Sequence, residues 1–183
     1  MRVTILNGEP DPGSAFEAYL AVVAARLAER GHSLVHLALR DLDLKGCSGC
    51  WSCWVKTPGT CARQDDSERV RREVMAADLL LAASPVRLGF TSSLLKRAAD
   101  QMIPLVHPHL VMEGGEMHHR RRYARYPRFA LLLGPGADAD AEDLALTEAM
   151  WRRTARNLKF PFQFAAVADR PAEEVADGLV ASA

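Results

Sequence analysis

The sequence predicts an α/β fold in which a doubly wound parallel sheet carries helices on both faces, and three observations predict it. Five short apolar runs alternate with stretches whose apolar residues recur at helical spacing. Two of the runs, Leu79 to Ala83 and Phe129 to Leu133, are apolar without alternation, as strands are when helices cover both faces of a parallel sheet. Turn-forming residues follow the runs: Asn7-Gly8, Ser84-Pro85 and Gly134-Pro135-Gly136.

Taken in order, Arg2 to Leu6 is the first strand, and a loop rich in Pro, Gly, Asp and Ser follows it. Ser14 and Glu17 have capping-box spacing, and Phe16, Leu20, Val23 and Leu27 give the first helix its apolar stripe until Gly31 stops it. Ser33 to Leu39 alternates as a second strand. A long loop without periodicity then runs to about Gln64. Asp65 or Asp66 can cap the next helix, with Glu68 near its third position and Val70, Val74 and Met75 as its apolar side. After the third strand, a loop to Ser92 leads into a helix from Leu94 to Ile103, which Pro104 and Pro108 keep from continuing. A second irregular stretch reaches Pro127. The fourth strand, a helix from Asp140 to Leu158, a fifth strand from Phe162 to Ala168 and a short helix after Pro171 complete the chain.

With 183 residues, 49% of them hydrophobic, the chain has length for one well-buried core, so one domain over 1–183 is expected. Its 23 basic residues balance 23 acidic ones, which argues against nucleic acid and anionic membranes and favours small-molecule partners. No apolar stretch approaches the roughly 20 residues of a spanning helix, and Met1 leads straight into a strand pattern, so a cytoplasmic protein is expected. In a doubly wound sheet, ligands bind beyond the carboxyl ends of the strands. The loops expected to meet there are Gly8 to Ser14, Ser84 to Thr91 and Gly134 to Asp138.

All four cysteines, Cys47, Cys50, Cys53 and Cys61, fall within a loop spanning 44–65, spaced C-x2-C-x2-C-x7-C. In a reducing compartment such a group points to metal or redox chemistry before structural disulfides. Structural zinc normally pairs two knuckles across a longer span and fits this spacing poorly. A bland reading stands beside the metal one: free Cys is a small buried hydrophobe, and Trp51, Trp54 and Val55 lie in the same loop.

The three loops resemble those of the NAD(P)H-dependent FMN reductase family and its iron–sulfur flavoprotein branch. So do the cysteine loop with Asp65 and Asp66, Ala77-Asp78, Ser84-Pro85-Val86 and Leu95-Lys96. The likeness runs from Met1 to about Ala168. It implies a flavodoxin-like sheet of order 2-1-3-4-5, FMN at the strand ends, NAD(P)H or another donor, and a small-molecule or redox-protein acceptor. It also implies a homodimer or homotetramer with its interface near the flavin. Carried over by position, the FMN contacts are Asn7, Gly8 and Ser14 in the first loop, Ser84, Pro85, Val86, Arg87, Leu88 and Gly89 in the second, and Gly134 and Pro135 in the third. The four cysteines correspond to the thiolates that hold a [4Fe–4S] cluster in that branch, although many flavoproteins of this type carry such a loop with no cluster.

Two departures stand out. The family usually has Gly-Ser-Pro-Arg where this chain has Gly8, Glu9, Pro10 and Asp11. A carboxylate about 7 Å from a phosphate charge costs roughly 2 kcal/mol at an effective dielectric near 20. Arg87 replaces an aromatic residue, and is placed to stack on a planar ring, pair with a phosphate, or neutralise Glu9 or Asp11.

The stretch 107–127 carries His107, His109, His118, His119, Arg120, Arg121, Arg122 and Arg125. It reads either as a site for the 2′-phosphate of NADPH or an anionic substrate, or as a solvated loop or subunit contact. A thiol nucleophile, Cys50 or Cys53 with His118, requires these residues to be neighbours in space.

Overall fold

In the computed structural model, which describes residues 1–181, the strands and helices alternate as the periodicity predicts. They are β1 (Arg2–Asn7), α1 (Ala15–Glu29), β2 (Ser33–Ala38), α2 (Ser52–Val55), α3 (Ser67–Ala76), β3 (Leu79–Arg87), β4 (Phe90–Thr91) and α4 (Ser93–Asp100). There follow β5 (Val106–Glu113), β6 (Glu116–Arg121), β7 (Arg128–Pro135), α5 (Ala141–Asn157), β8 (Phe162–Val167) and α6 (Ala172–Ala181). The parallel sheet has the order β2-β1-β3-β7-β8, which is the expected 2-1-3-4-5 counted over its five parallel strands.

Alternation along the strands divides the core in two, because successive side chains point to opposite faces. Val3, Ile5, Leu79, Leu81, Ala130 and Leu132 meet Leu20, Val23 and Leu27 of α1 and Val175 and Leu179 of α6 on one face. Leu6, Leu80, Ala82, Leu131 and Leu133 meet Val70 and Val74 of α3, Leu95 and Ala98 of α4, and Trp151 of α5 on the other.

Three sequence expectations require correction. Strand β3 does not end at Ser84-Pro85: its pairing with β7 continues through Ser84↔Leu133, Pro85↔Gly134 and Val86↔Pro135. Proline is tolerated there because β1 stops opposite Ala83, so that side of β3 is an edge. The chain then turns back through Leu88 (φ 50°) and Gly89 (φ 73°) to pair Arg87 with Phe90. Two central residues at positive φ are the requirement of a type I′ hairpin. Second, 107–127 is not irregular throughout, since β5 and β6 form an antiparallel hairpin about Gly114-Gly115, again at positive φ. Third, the cysteine loop contains the single helical turn α2.

Candidate functional site: strand-end loops and a four-cysteine cavity

The three loops do meet at the carboxyl ends of the strands. Gly8 N–H donates to Ala83 O (2.8 Å), and Ser92 Oγ donates to Gly8 O (2.6 Å) while accepting from Leu95 N–H to cap α4. Gly8 must be glycine, because a Cβ would lie 2.9 Å from both Leu95 Cβ and Ser92 Oγ. Ser84 Oγ, fully buried, donates to Pro85 O and accepts from Ser92 N–H. Leu88 N–H donates to Asp138 Oδ2 (2.9 Å), which ties the second loop to the third. The ring of Phe16 lies so close over Gly134 that a Cβ there would approach it to 2.5 Å. Of the residues assigned by resemblance, Asn7, Gly8, Ser84, Gly134 and Pro135 thus shape or tie these loops, Val86 is buried between them, and Leu88 is 93% exposed.

The first loop is closed on itself. Glu9 N–H donates to Asn7 Oδ1, Asp11 N–H to Glu9 Oε1 and Gly13 N–H to Asp11 Oδ1, each at 2.9 Å, and Ser14 N–H reaches Asp11 O at 3.2 Å. Pro10 and Pro12 have no N–H to give. Every backbone donor from Gly8 to Ser14 therefore has an acceptor within the protein, and two of those acceptors are carboxylates. Only the N–H groups of Ala15 and Phe16, in the first turn of α1, are left without one among the described residues. The Glu9 side chain is 1% exposed and lies 3.9 Å from the Arg87 guanidinium, so Arg87 neutralises Glu9, one of its three anticipated roles.

The capping box expected of Ser14 and Glu17 is half made. Ser14 Oγ accepts from Glu17 N–H (3.0 Å), but the Glu17 carboxylate turns to Asn7 Nδ2 (2.7 Å) and Arg40 Nη1 (2.9 Å). Burial alone would push the Glu17 carboxyl up; the hydrogen bonds from Arg40 and Asn7 outweigh it and hold the group below its ordinary value. Arg40 also donates to Glu9 O (3.1 Å).

The cysteine loop does not cover these loops; it lies at the far end of α4. Its ends are stapled where Asp66 Oδ2 accepts from Asp43 N–H and Asp65 Oδ2 from Lys45 N–H. Asp65, not Asp66, accepts the Ser67 N–H at the start of α3. Between the staples, all four cysteines line a cavity of about 610 Å³ whose other walls include Trp51, Trp54, Gln101, Ile103, Pro104 and His119. Trp54 anchors the loop by donating from Nε1 to Val106 O (2.9 Å), and its ring lies 4.8 Å from that of His119. Hydrogen bonds to Ser52, side chain and then backbone, and to Ser48 lower the Cys50 thiol to about 7, whereas burial pushes Cys53 up, helped by the neighbouring Cys61 and Cys47.

Behind the Gln101 wall of the cavity, Arg71 of α3 is 5% exposed, borders a separate hollow with Thr60, Leu105 and Tyr123, donates from Nη1 to Gln101 O (3.0 Å), and has no hydrogen-bond partner for Nη2. Among the described residues no carboxylate is within ion-pair distance of it. Burial pulls its pKa down, and the charge that most favours its cationic form is the Cys61 thiolate, ahead of Asp65, Glu68 and Cys53. Nothing in the local sequence pattern marks Arg71, because its neighbours Thr60, Gln101, Leu105 and Tyr123 come from distant parts of the chain.

The histidine and arginine stretch divides between two faces of the β5–β6 hairpin. His118 is buried against α5, between Asn157 Oδ1 (2.8 Å) and Glu116 Oε2 (3.0 Å), so it is turned away from the thiols; His119, on the opposite face, lines the cavity. A thiol nucleophile with His118 as its base does not assemble. Arg122 donates to Pro104 O, and Arg125 to Ala77 O and Asp78, at the amino ends of the strands. Neither is available as a phosphate fork at the opposite end.

An open α/β sheet with converging strand-end loops, and a four-thiol cavity beside it, defines a redox protein of the doubly wound class. The chain belongs to the NADPH-dependent FMN reductase family, whose model matches residues 1–126. It is 27% identical over 101 residues to an iron–sulfur flavoprotein of Archaeoglobus fulgidus, covering 55% of this chain and 48% of that protein. With an iron–sulfur flavoprotein of Methanocaldococcus jannaschii it shares 30% over 105 residues, 57% and 53% of the two chains. It thus spans about half the length of the curated relatives it matches. Among solved structures it resembles the NAD(P)H:quinone oxidoreductase of Methanothermobacter marburgensis (TM-score 0.66, 18% identity, 100% and 97% coverage). It also resembles an FMN-dependent NADH-azoreductase of Bacillus anthracis in complex with FMN (TM-score 0.65, 13% identity, 100% and 96% coverage). At these identities the structural likenesses establish the flavodoxin-like fold.

The branch implies two groups, and the residues answer differently for each. The cysteine cavity fits a [4Fe–4S] cluster. Four thiols line one largely apolar space, and behind its Gln101 wall lies the buried Arg71, whose positive charge favours an anionic group at Cys61 and Cys53. No three described His, Cys, Asp or Glu side chains converge on a point that would hold one ion. A cubane takes one thiolate per iron and does not require that convergence; tetrahedral zinc does. FMN fits less well, because its phosphate meets a first loop whose donors are already matched by Glu9 and Asp11.

Proposed function

We propose that this chain is a flavin oxidoreductase of the iron–sulfur flavoprotein kind. It takes electrons from a reduced nicotinamide or a protein donor and delivers them to a small molecule or a redox protein. The observation that carries the reading is the single cavity lined by Cys47, Cys50, Cys53 and Cys61, with Arg71 bonded to the main chain of its wall residue Gln101. Family membership supports the flavin half. When bound, a [4Fe–4S] cluster supplies one-electron transfer. The chain's own residues would do the rest: the cysteines would hold the cluster, Trp54, Ile103 and Pro104 would form the apolar wall on its protein side, and Arg71 would offset part of its charge.

The strand-end loops, at the opposite end of α4, are the proposed flavin site. Eight helical residues put the two sites about 12 Å apart along that helix. Leu110, Met112 and Met117 on the exposed face of the β5–β6 hairpin extend the apolar surface away from the cavity mouth, and we assign to them the contact with a second copy in a homodimer. No described helix is long and apolar enough to cross a membrane.

Anaerobic purification with iron, sulfide and flavin quantified on one sample tests the proposal. About four irons per chain, lost when any one of the four cysteines is changed to serine, is the expected result. Iron-free protein after anaerobic reconstitution would refute the cluster, and protein that takes up no added flavin would refute the flavin site.

A further inference from the structure

The first loop presents an anion site that the chain has filled from its own sequence. A phosphate group at the start of a helix is held by backbone N–H groups that have no other acceptor, with cations nearby. Here the five N–H groups from Gly8 to Ser14 are all matched internally, those of Asp11 and Gly13 by the carboxylates of Glu9 and Asp11. The two cations that flank the loop are also engaged, Arg87 with Glu9 and Arg40 with Glu17. A phosphate entering this loop would find two free backbone donors, on Ala15 and Phe16, and two carboxylates opposing its charge, with the nearby Arg87 cation already facing Glu9.

Resting on the flavin site proposed above, we propose that Glu9 and Asp11 stand in for the cofactor's 5′-phosphate, so that this chain takes its flavin as the uncharged ribityl form and holds riboflavin at least as tightly as FMN. Glu9 is the principal element, being buried and hydrogen-bonded within the loop; Asp11, exposed at its outer turn, adds repulsion and occupies Gly13 N–H. Nothing in this discrimination involves the isoalloxazine ring, so the two flavins should differ only through the phosphate.

Titration of the purified full chain with riboflavin and with FMN, followed by quenching of flavin fluorescence, gives two dissociation constants from one sample. Their ratio is insensitive to the fraction of active protein. Wild type should bind riboflavin with equal or greater affinity. Asp11→Asn, which removes one opposing charge and leaves the buried carboxylate in place, should move the ratio toward FMN by up to roughly 30-fold, the effect of one unit charge about 7 Å away, and Glu9→Ser with Asp11→Arg should move it further. FMN bound tenfold more tightly than riboflavin by wild type, or a ratio unmoved in both variants, would overturn the inference while leaving the flavin proposal standing. If wild type binds neither flavin, the flavin proposal fails, and the variants still decide the inference: gain of FMN binding upholds it and continued failure overturns it.

Discussion

Arg71 should change sign with the state of the cysteine cavity. In protein without a cluster, its guanidinium is a charge 5% exposed, with one hydrogen bond to Gln101 O and one nitrogen with no partner. Arg71→Met removes a desolvation cost of several kcal/mol that nearby carboxylates and thiols only partly offset, and forfeits a hydrogen bond of about 1 kcal/mol. The net expectation is a gain of about 1 kcal/mol, or a Tm higher by about 2–4 °C for a chain of this size. With a cluster in place the same change removes the countercharge. Two unit charges about 7 Å apart interact by about 2 kcal/mol at an effective dielectric near 20, which corresponds to a fall of about 90 mV in a one-electron potential. Arg71→Lys keeps the charge and should hold the potential near that of wild type. Thermal melts of chelator-treated protein and a redox titration of the reconstituted cluster read the two halves. A lower Tm for iron-free Arg71→Met together with an unmoved potential would show that Arg71 is an ordinary packing residue.

Three further outcomes follow from other contacts. Ser14→Ala removes the oxygen that accepts Glu17 N–H and should cost about 1 kcal/mol in denaturant unfolding; an unchanged midpoint would mean that the cap is not made. The Glu17–Arg40 pair should stabilise the fold in a pH-dependent way. Because the Glu17 carboxyl is held below its unfolded value, its contribution is fully present above that value and is lost as pH falls through the lowered folded one. The stability difference between wild type and Arg40→Met should therefore shrink on acidification below the ordinary glutamate range; a difference constant from neutrality to that range and below would contradict the pairing. Glu substituted for both Met112 and Met117, which face each other across the hairpin and are both exposed, should convert a dimer to monomers in light scattering, and an unaltered mass would place the interface elsewhere.

The parallel sheet was legible because its signals are local: unbroken apolar runs, turn residues, and helical stripes such as Leu20, Val23 and Leu27. The β5–β6 hairpin was missed although Gly114-Gly115 after the apolar Leu110-Val111-Met112 is a turn signal; Pro104, Pro108 and the run of histidines and arginines on the second strand obscured the alternation. Burial of Arg71 was not legible at all. Arg71 sits beside Arg69 and Arg72 on a short helix and reads as a solvated face, and the neighbours that distinguish it, Gly59, Thr60, Gln101, Leu105 and Tyr123, lie ten or more positions away. Likewise the acids of the first loop were visible as a departure, but that Glu9 and Asp11 turn inward onto the loop's own N–H groups depends on the path that Pro10 and Pro12 impose.

Charge accounting separates the two candidate sites more sharply than their shapes do. At the strand ends each flanking cation faces an internal carboxylate and each backbone donor from Gly8 to Ser14 has an internal acceptor, so a charged guest meets a loop whose charges are already balanced. Behind the wall of the cysteine cavity a buried cation has neither a carboxylate within ion-pair distance nor a full set of hydrogen bonds, so an anionic guest at Cys53 and Cys61 supplies charge that the chain leaves unmatched. α4 joins the two, its N-cap Ser92 bonded to Gly8 and its last turn, at Asp100 and Gln101, lining the cavity. An uncharged flavin at one end of this helix and an anionic cluster at the other is the pair of ligands that leaves neither site with an unmatched charge.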